Sequence, residues 1–460
     1  MIEFHLPSLV AILVVTAVVS VALAPRVRTA DGFYRGWSEG GQAPGVWTLT
    51  FSQVTTWIFA RSLLNAGILG YFFGIAGALA YTVYYGSFLT GWLIVDQLRF
   101  RRGYPNIQTF FAQRFGRLGV SAYNILISLR LLTEVFANLL VVGIVFSAAG
   151  VLAENLAIMA VAVITLFYSM TGGLRASLRT DVLQMTLLAV LLVILFGVML
   201  MHPLFEVTAL VSSSTDLTGP GWVLMAVAFL QVLSYPLHDP VMMDRGFVSD
   251  RDTTRRSFIH AFWISALLIL MFGLMGVFAG LHREEGNDLL FTLQQLLGAP
   301  AMLLLAAALV LSAASTMDSV FSSVSKLTVV DMGVGGGTLH SGRWAMIGFA
   351  IAGLALVYWG TDDLYAAVAV SGTASLFLTP IILISIFANR QVARWSFVVN
   401  FVVAIGAAAF YFLENAGYVN VMGPLTGLEH TYSHLLVVTL IVLTIGMGAF
   451  LLGMGPRADD

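Results

Sequence analysis

The 460-residue sequence has no cysteine and a single lysine, and only 10% of its residues are charged. Without cysteine there is no disulfide, no thiol nucleophile and no thiolate metal site. A soluble globular domain carries about 25% charged residues, and a soluble chain of this length divides into several domains under polar loops. That polar covering is missing. With 22 Lys+Arg against 24 Asp+Glu and a net charge of −2 there is no polybasic tail and no electrostatic case for nucleic-acid binding. The start, MIEFHLPSLV, lacks a basic leader region, and the apolar stretch after it runs into Pro25 and Arg26 without an Ala-x-Ala pattern. It reads as a retained first span. The 8 histidines are scattered, and no cluster of His with acids has metal-ligand or triad spacing, so the sequence does not read as an enzyme.

What is present is apolar: 59% of the chain is hydrophobic. Stretches long enough to cross a bilayer, roughly 20 residues each, fall at about 6–24, 46–71, 73–98, 119–149, 155–171, 182–202, 221–238, 258–281, 299–325, 343–359, 364–387, 395–413 and 434–453. The pattern predicts an all-α integral membrane protein of about thirteen transmembrane helices, one transporter domain over 1–460. Apart from Arg61 and Arg130 inside spans and Arg283, every basic residue falls in one set of alternate loops or in the C-terminus. Lys and Arg are retained on the cytoplasmic side, so the expected orientation is N-terminus outside and C-terminus cytoplasmic, in a plasma or inner membrane. The loop segment from Asp288 to Leu297 is expected to form a short surface helix. No extramembrane module is seen, and a chain that is nearly all membrane mostly moves something across it.

Backbone that departs from a helix inside a bilayer must line a cavity or be buried in protein. The seventh span contains Ser234-Tyr235-Pro236-Leu237-His238-Asp239-Pro240, where two prolines each remove a helix hydrogen bond. The second opens with the polar, β-branched run Thr48 to Trp57, made of weak helix formers. These spans are five apart. They occupy matching positions if 46–202 and 221–387 are two five-helix copies, flanked by 1–45 and by two C-terminal helices in 395–460; an odd number of spans per copy makes the copies inverted, and paired broken helices then point to a site near the midplane. Prolines and threonines are also ordinary in membrane helices. In the ninth span Ser312, Ser315 and Thr316 share one helix face. Such oxygens suit a monovalent cation, and small hydroxyl residues suit interhelical packing equally. Arg130 and Glu134 are one turn apart and able to pair; Arg61 has no local acid, and either clamps a solute carboxylate or meets Glu134 or carbonyls.

Three stretches together resemble the sodium:solute symporter family, which includes proline, sialic acid and sugar symporters. Tyr168-Ser169-Met170-Thr171-Gly172-Gly173-Leu174-Arg175-Ala176 with Thr180-Asp181 and Gln184 is similar to the family's GG-(K/R)-A-x4-TD-x2-Q pattern. Ser315-Thr316-x-Asp318-Ser319 with Ser325 and Asp331 resembles its ninth-span sodium segment. Asp239 with Asp244-Arg245 stands where the family shows a Gln-Arg pair. The resemblance covers the whole chain in span number, loop lengths and orientation. It implies a leucine-transporter-like 5+5 inverted repeat with one extra N-terminal and two extra C-terminal helices. It also implies sodium ligands at the Ser312 carbonyl and the Ser315 and Thr316 hydroxyls. If Trp57 matches the family's aromatic position, the second-span carbonyls are Phe51 and Val54. Asp181, at the cytoplasmic end of the sixth span, resembles an acid that assists sodium release, or is only a helix N-terminal acid beside Thr180. Asp239 joins it as a gating candidate. The second span lacks the family's glycine at its break, and Gln53 and Arg61 depart from the usual residues.

The expectation is therefore a sodium-coupled symporter importing a small solute by alternating access. Gln53, Trp57, Arg61, Arg130 and Tyr235, with Tyr84 and Glu134 beside them, are the candidates for the solute cavity. Arg61 or Arg130 makes a carboxylate-bearing solute, an amino acid or an organic acid, the first expectation. The other readings are a proton-coupled carrier, with Asp181, Asp239 or Glu134 titrating, and a transporter-like membrane sensor. Nothing calls for an obligate protein partner.

Overall fold

The computed structural model describes residues 6–359 and 372–457. In chain order its helices are α1 (Leu6–Leu23), α2 (Ala30–Arg35), α3 (Val46–Trp57), α4 (Ala60–Val83), α5 (Ser87–Val95), α6 (Ile107–Phe146), α7 (Val151–Leu200), α8 (Val207–Val211), α9 (Pro220–Gln231), α10 (Tyr235–His238), α11 (Pro240–Gly246), α12 (Arg251–Leu281), α13 (Leu289–Lys326) and α14 (Leu339–Trp359). They continue as α15 (Gly372–Phe387), α16 (Arg394–Asn415), α17 (Met422–Thr426) and α18 (Thr431–Leu452). Among the described residues 9 helical runs are long and apolar enough to cross a membrane. Their outward faces carry exposed residues such as Val18, Ile125, Val193 and Val402, as a lipid-facing surface requires. The chain is a multi-pass integral membrane protein.

Several of these runs are too long to be one span. At 50 residues α7 would extend about 75 Å, more than twice the hydrocarbon thickness of about 30 Å. It reverses at Gly173 (φ 55°, ψ −139°). Tyr168 and Thr180, on either side of that glycine, both donate to the same oxygen of Asp318, at 2.9 and 2.8 Å. Gly74 does the same work in α4: Tyr81 hydroxyl reaches Ser62 and Tyr85 hydroxyl reaches the Trp57 carbonyl. The expected boundaries between spans two and three and between five and six therefore lie at single glycines. The expected eleventh span, 364–387, is described only as α15, since residues 360–371 lie outside the described residues.

Two helices, α6 and α13, begin alike. Asn106 caps α6 by accepting from the Thr109 N–H (2.9 Å), and Asp288 caps α13 by accepting from the Phe291 N–H (2.8 Å). A positive-φ glycine follows each cap at the same spacing, Gly116 and Gly298. The two caps lie at opposite ends of α13, because Asn106 bonds Asp331 just past its C-terminus while Asp288 begins it. The segment before Gly298 is the short helix expected from Asp288 onward, but it is not free at the surface: Leu289 and Leu293 are buried and Thr292 sits 3.1 Å from the Tyr71 hydroxyl.

The centre of the bundle is built by small residues. Gly273, Gly276 and Gly280 of α12 lie against the backbones of α4 at Ala78, Gly67 and Tyr71, so that no side chain could be added to them without displacing main chain. Two features were not foreseen. The helix α2 buries Phe33 and Tyr34, and the Phe33 carbonyl lies against Gly173. A two-stranded antiparallel ribbon, β1 (Arg390–Val392) with β2 (Met454–Arg457), ties the C-terminal segment to the loop before α16, a small exception to the all-α expectation.

Candidate functional site

The first break falls at Ile58 and Phe59, after α3 and not within the run Thr48 to Trp57. Ile58 (φ −87°, ψ 58°) and Phe59 (φ −76°, ψ 160°) leave the helix, and α4 resumes at Ala60. The preceding hydroxyls weaken the last turn: Thr56 donates back to the Ser52 and Gln53 carbonyls at 2.8 and 3.1 Å. A helix end strands carbonyls, and here two are taken up by distant hydroxyls. Tyr85 donates to the Trp57 carbonyl at 2.9 Å, and Ser312 of α13 donates to that of Ile58.

This geometry decides which second-span residues meet α13. Thr55 hydroxyl lies 3.0 Å from Ser315 Oγ, and the Ile58 carbonyl faces Ser312. The expected pair Phe51 and Val54 lies one helical turn earlier; the Val54 carbonyl accepts the Ile58 N–H at 2.8 Å and Phe51 stands inside the regular helix. Thr55 and Ile58 are thus brought to the ninth-span oxygens. Ser312, Ser315 and Thr316 are all buried, and Thr316 Oγ1 has no hydrogen-bond partner among the described residues.

Asp181 is the second centre. It is not at a helix end, because the turn is at Gly173 and α7 runs on through it. Its carboxylate is buried and accepts from Ser52 (2.6 Å), Ser315 (2.8 Å), Ser177 (3.2 Å) and Ser319 (3.4 Å), with Arg245 Nη2 at 3.9 Å. Arg245, fully buried, also donates to Ser319 at 2.8 Å and to Ser177 at 3.3 Å. Asp181 therefore touches the cation-type oxygens directly, through Ser315. Both reside in motifs visible in the sequence, but their meeting was not legible, since Arg245 and Asp181 come from different helices, α11 and α7.

The second break is where the prolines indicated. After α9, residues 232–234 form a turn, Pro236 and Pro240 each open a short helix, and Asp239 between them is extended (φ −104°, ψ 98°). Asp239 caps α11 through the Met242 N–H (2.9 Å) and accepts from Arg130 Nη2 at 3.3 Å. Arg130 also donates to Glu134 at 3.0 Å, the pairing expected within the fourth span. Asp239 thus links α6 to the broken helix.

Between the breaks lies a cavity of about 330 Å³. Its inner wall is formed by Trp57, Phe59, Arg61, Arg130 and Tyr235, its sides by Tyr81, Tyr84, Tyr85 and Gln231, and its rim by Asn415, Thr431 and Tyr432 near the 414–433 loop. Trp57 is edge-on to Tyr85 and Tyr235 at 5.7 and 5.5 Å. Four of the five expected solute residues, Trp57, Arg61, Arg130 and Tyr235, line it, as does Tyr84. Gln53 does not; it is buried one turn deeper in α3, with neither side-chain polar atom partnered among the described residues. Tyr81, Tyr85 and Gln231 were missed, since aromatics at helical spacing carry no signal that separates lining from packing. Away from the rim the one lysine holds a charged cluster: Lys326 bonds Asp244 (2.7 Å) and Asp331 (3.0 Å), and Asp331 accepts from Asn106.

No family model matches the sequence and no curated protein is similar to it. Solved structures are. Over 98% of both chains it resembles, at 16% identity and a TM-score of 0.71, a Na+-coupled sialic acid symporter captured substrate-bound and outward-open. Over 93% of this chain and 95% of the other it resembles, at 12% identity and a TM-score of 0.55, a nucleobase-cation-symport-1 family transporter in a closed conformation with bromovinylhydantoin bound. These likenesses show the fold, which is leucine-transporter-like, with paired broken helices around a central cavity.

Proposed function

We propose that this protein is a sodium-coupled symporter that imports a small, carboxylate-bearing solute by alternating access. The observation that carries the reading is the convergence of oxygens at the first break, where Thr55, Ile58, Ser312 and Ser315 meet and Thr316 keeps an unpartnered buried hydroxyl. Neutral oxygens at a helix break suit an ion that must bind and leave. Sodium, as co-substrate, would take the Ser312 carbonyl and the Ser315 and Thr316 hydroxyls on α13, with Thr55 and Ile58 carbonyls opposite. Asp181, held by Ser315, then responds to the ion's arrival and departure. Bridging α13 to the broken helix, the ion favours the form in which the cavity is complete, and solute binding gains that coupling free energy, typically about 1–3 kcal/mol. The resemblance of the motifs and the two transporter structures support the same reading. The distribution of basic residues supports an orientation with the cavity's rim outside and Lys326 on the cytoplasmic side.

The test is sodium-induced thermal stabilisation of the purified protein without solute, with potassium at equal ionic strength as control. A ligand that binds only the native state raises apparent stability by mass action. The expected result is a sodium-specific rise that is lost when Ser315→Ala and Thr316→Ala are combined. A rise that survives the double change misplaces the site; no rise at any sodium concentration favours the proton-coupled carrier or the sensor.

A further inference from the structure

Among the described residues lining the cavity, the buried side-chain polar atoms without a partner are all donors, Trp57 Nε1, Arg61 Nε and Arg130 Nε, and this narrows the solute. Trp57 Nε1 and Arg61 Nε are both buried and have no hydrogen-bond partner among the described residues, and both side chains line the same space. An unsatisfied buried donor is costly, and a buried unpaired guanidinium more so. A ligand supplying acceptor oxygens and negative charge removes both costs. Arg130 does not compete for it in the same way, since Glu134 and Asp239 already hold its charge. Among the described residues that line the cavity none is an acid, so an ammonium group would face two guanidinium ions there, with Glu134 and Asp239 held behind Arg130. The walls nearest Arg61 are rings: its guanidinium lies 5.6 Å from the Phe59 centroid, and Tyr81 and Tyr85 stand behind.

We infer that the solute is an organic acid with an aromatic or compact apolar body and no amino group. Its carboxylate is gripped by Arg61, with Trp57 Nε1 as second donor, and its body lies among the tyrosines. This rests on the transport reading above and sharpens it, separating organic acids from amino acids. Rings and a guanidinium fork suit a planar acid, and the volume admits about one ring with its substituents.

The experiment is equilibrium binding to the purified protein in sodium, followed by tryptophan fluorescence and thermal shift. The probes are benzoate and phenylacetate, their neutral amides, and phenylalanine. The carboxylates are expected to bind, the amides and phenylalanine at least about tenfold more weakly. Arg61→Gln should weaken carboxylate binding by at least about tenfold, Arg61→Lys should restore part of it, and Trp57→Phe should weaken it less. The sodium-induced shift of each variant reports whether it has folded. Phenylalanine binding as tightly as the carboxylates, or unchanged carboxylate affinity in folded Arg61→Gln, overturns the inference. A sodium shift without any carboxylate binding overturns it and leaves sodium coupling standing; carboxylate binding indifferent to sodium retains the ligand class and removes the coupling.

Discussion

Gly173 shows how much one residue carries. Its φ of 55° with ψ −139° lies where side-chain-bearing residues are strained, and a Cβ there would run into the Phe33 carbonyl and ring. Gly173→Ala should cost about 1–3 kcal/mol by strain of this kind, read as a lower melting temperature in detergent. Gly197, in the same helix with open space around it, is the control: Gly197→Ala should hold or raise stability by helix propensity. Asp239 separates two roles at one position. Asp239→Asn keeps an N-cap and loses the charge on Arg130, whereas Asp239→Ala loses both. The alanine should be less stable than the asparagine by about 0.5–2 kcal/mol, the worth of a cap. Equal melting temperatures would show that the ion pair, not the cap, is what the residue contributes.

Among the elements, the two broken helices depend on partners outside themselves. Trp57 and Ile58 have carbonyls that no helix can satisfy, and the hydroxyls of Tyr85 and Ser312 do so from other elements. Tyr85→Phe removes one donor while keeping the ring, and should destabilise by about 1 kcal/mol. Its larger effect should be on sodium: with the break less firmly held, the sodium-induced thermal shift should shrink. An unaltered shift would mean that Tyr85 only packs. Arg130 is different, because it sits between two carboxylates in a buried place. Arg130→Met leaves Glu134 and Asp239 uncompensated and should cost about 3–5 kcal/mol, while adding Glu134→Gln and Asp239→Asn should recover much of it.

At the scale of the molecule, the cavity and the lysine cluster lie apart. The cavity reaches the 414–433 loop, while Lys326, Asp244, Asp331 and Asn106 join α13, α11 and α6 away from it. A lysine shared by two acids holds three elements at once, so Lys326→Gln should loosen that junction and raise the population open on that side. The absence of cysteine makes this measurable. Met243→Cys, buried beside this cluster, should react several-fold faster with a thiol reagent once Lys326→Gln is added. Unchanged labelling would show that the cluster is structural only. Orientation is tested the same way: in whole cells a membrane-impermeant reagent should label Arg283→Cys and spare Arg255→Cys.

Membrane class, the proline break and four of the five residues expected at the cavity were legible because each has a local physical cause. Bilayer thickness sets run length, a proline pair interrupts a helix, and an arginine within an apolar run calls for a partner or a ligand. The second-span register was not legible. A run of threonines is uniformly weak as helix, and the position of its break was settled by where Tyr85 and Ser312 offer donors to carbonyls. Nor were the partners of Asp181 legible, since its serines and Arg245 come from four separate elements. Gly172 and Gly173 were visible as a motif, but their reason is the Pro25 and Phe33 backbone packed against them. The sequence by itself determined the class, the runs and the chemistry available, because these depend on what each residue is and on its near neighbours. Only the tertiary structure decided which oxygens share a site and which acids the lysine holds, because those depend on contacts between residues more than eighty positions apart.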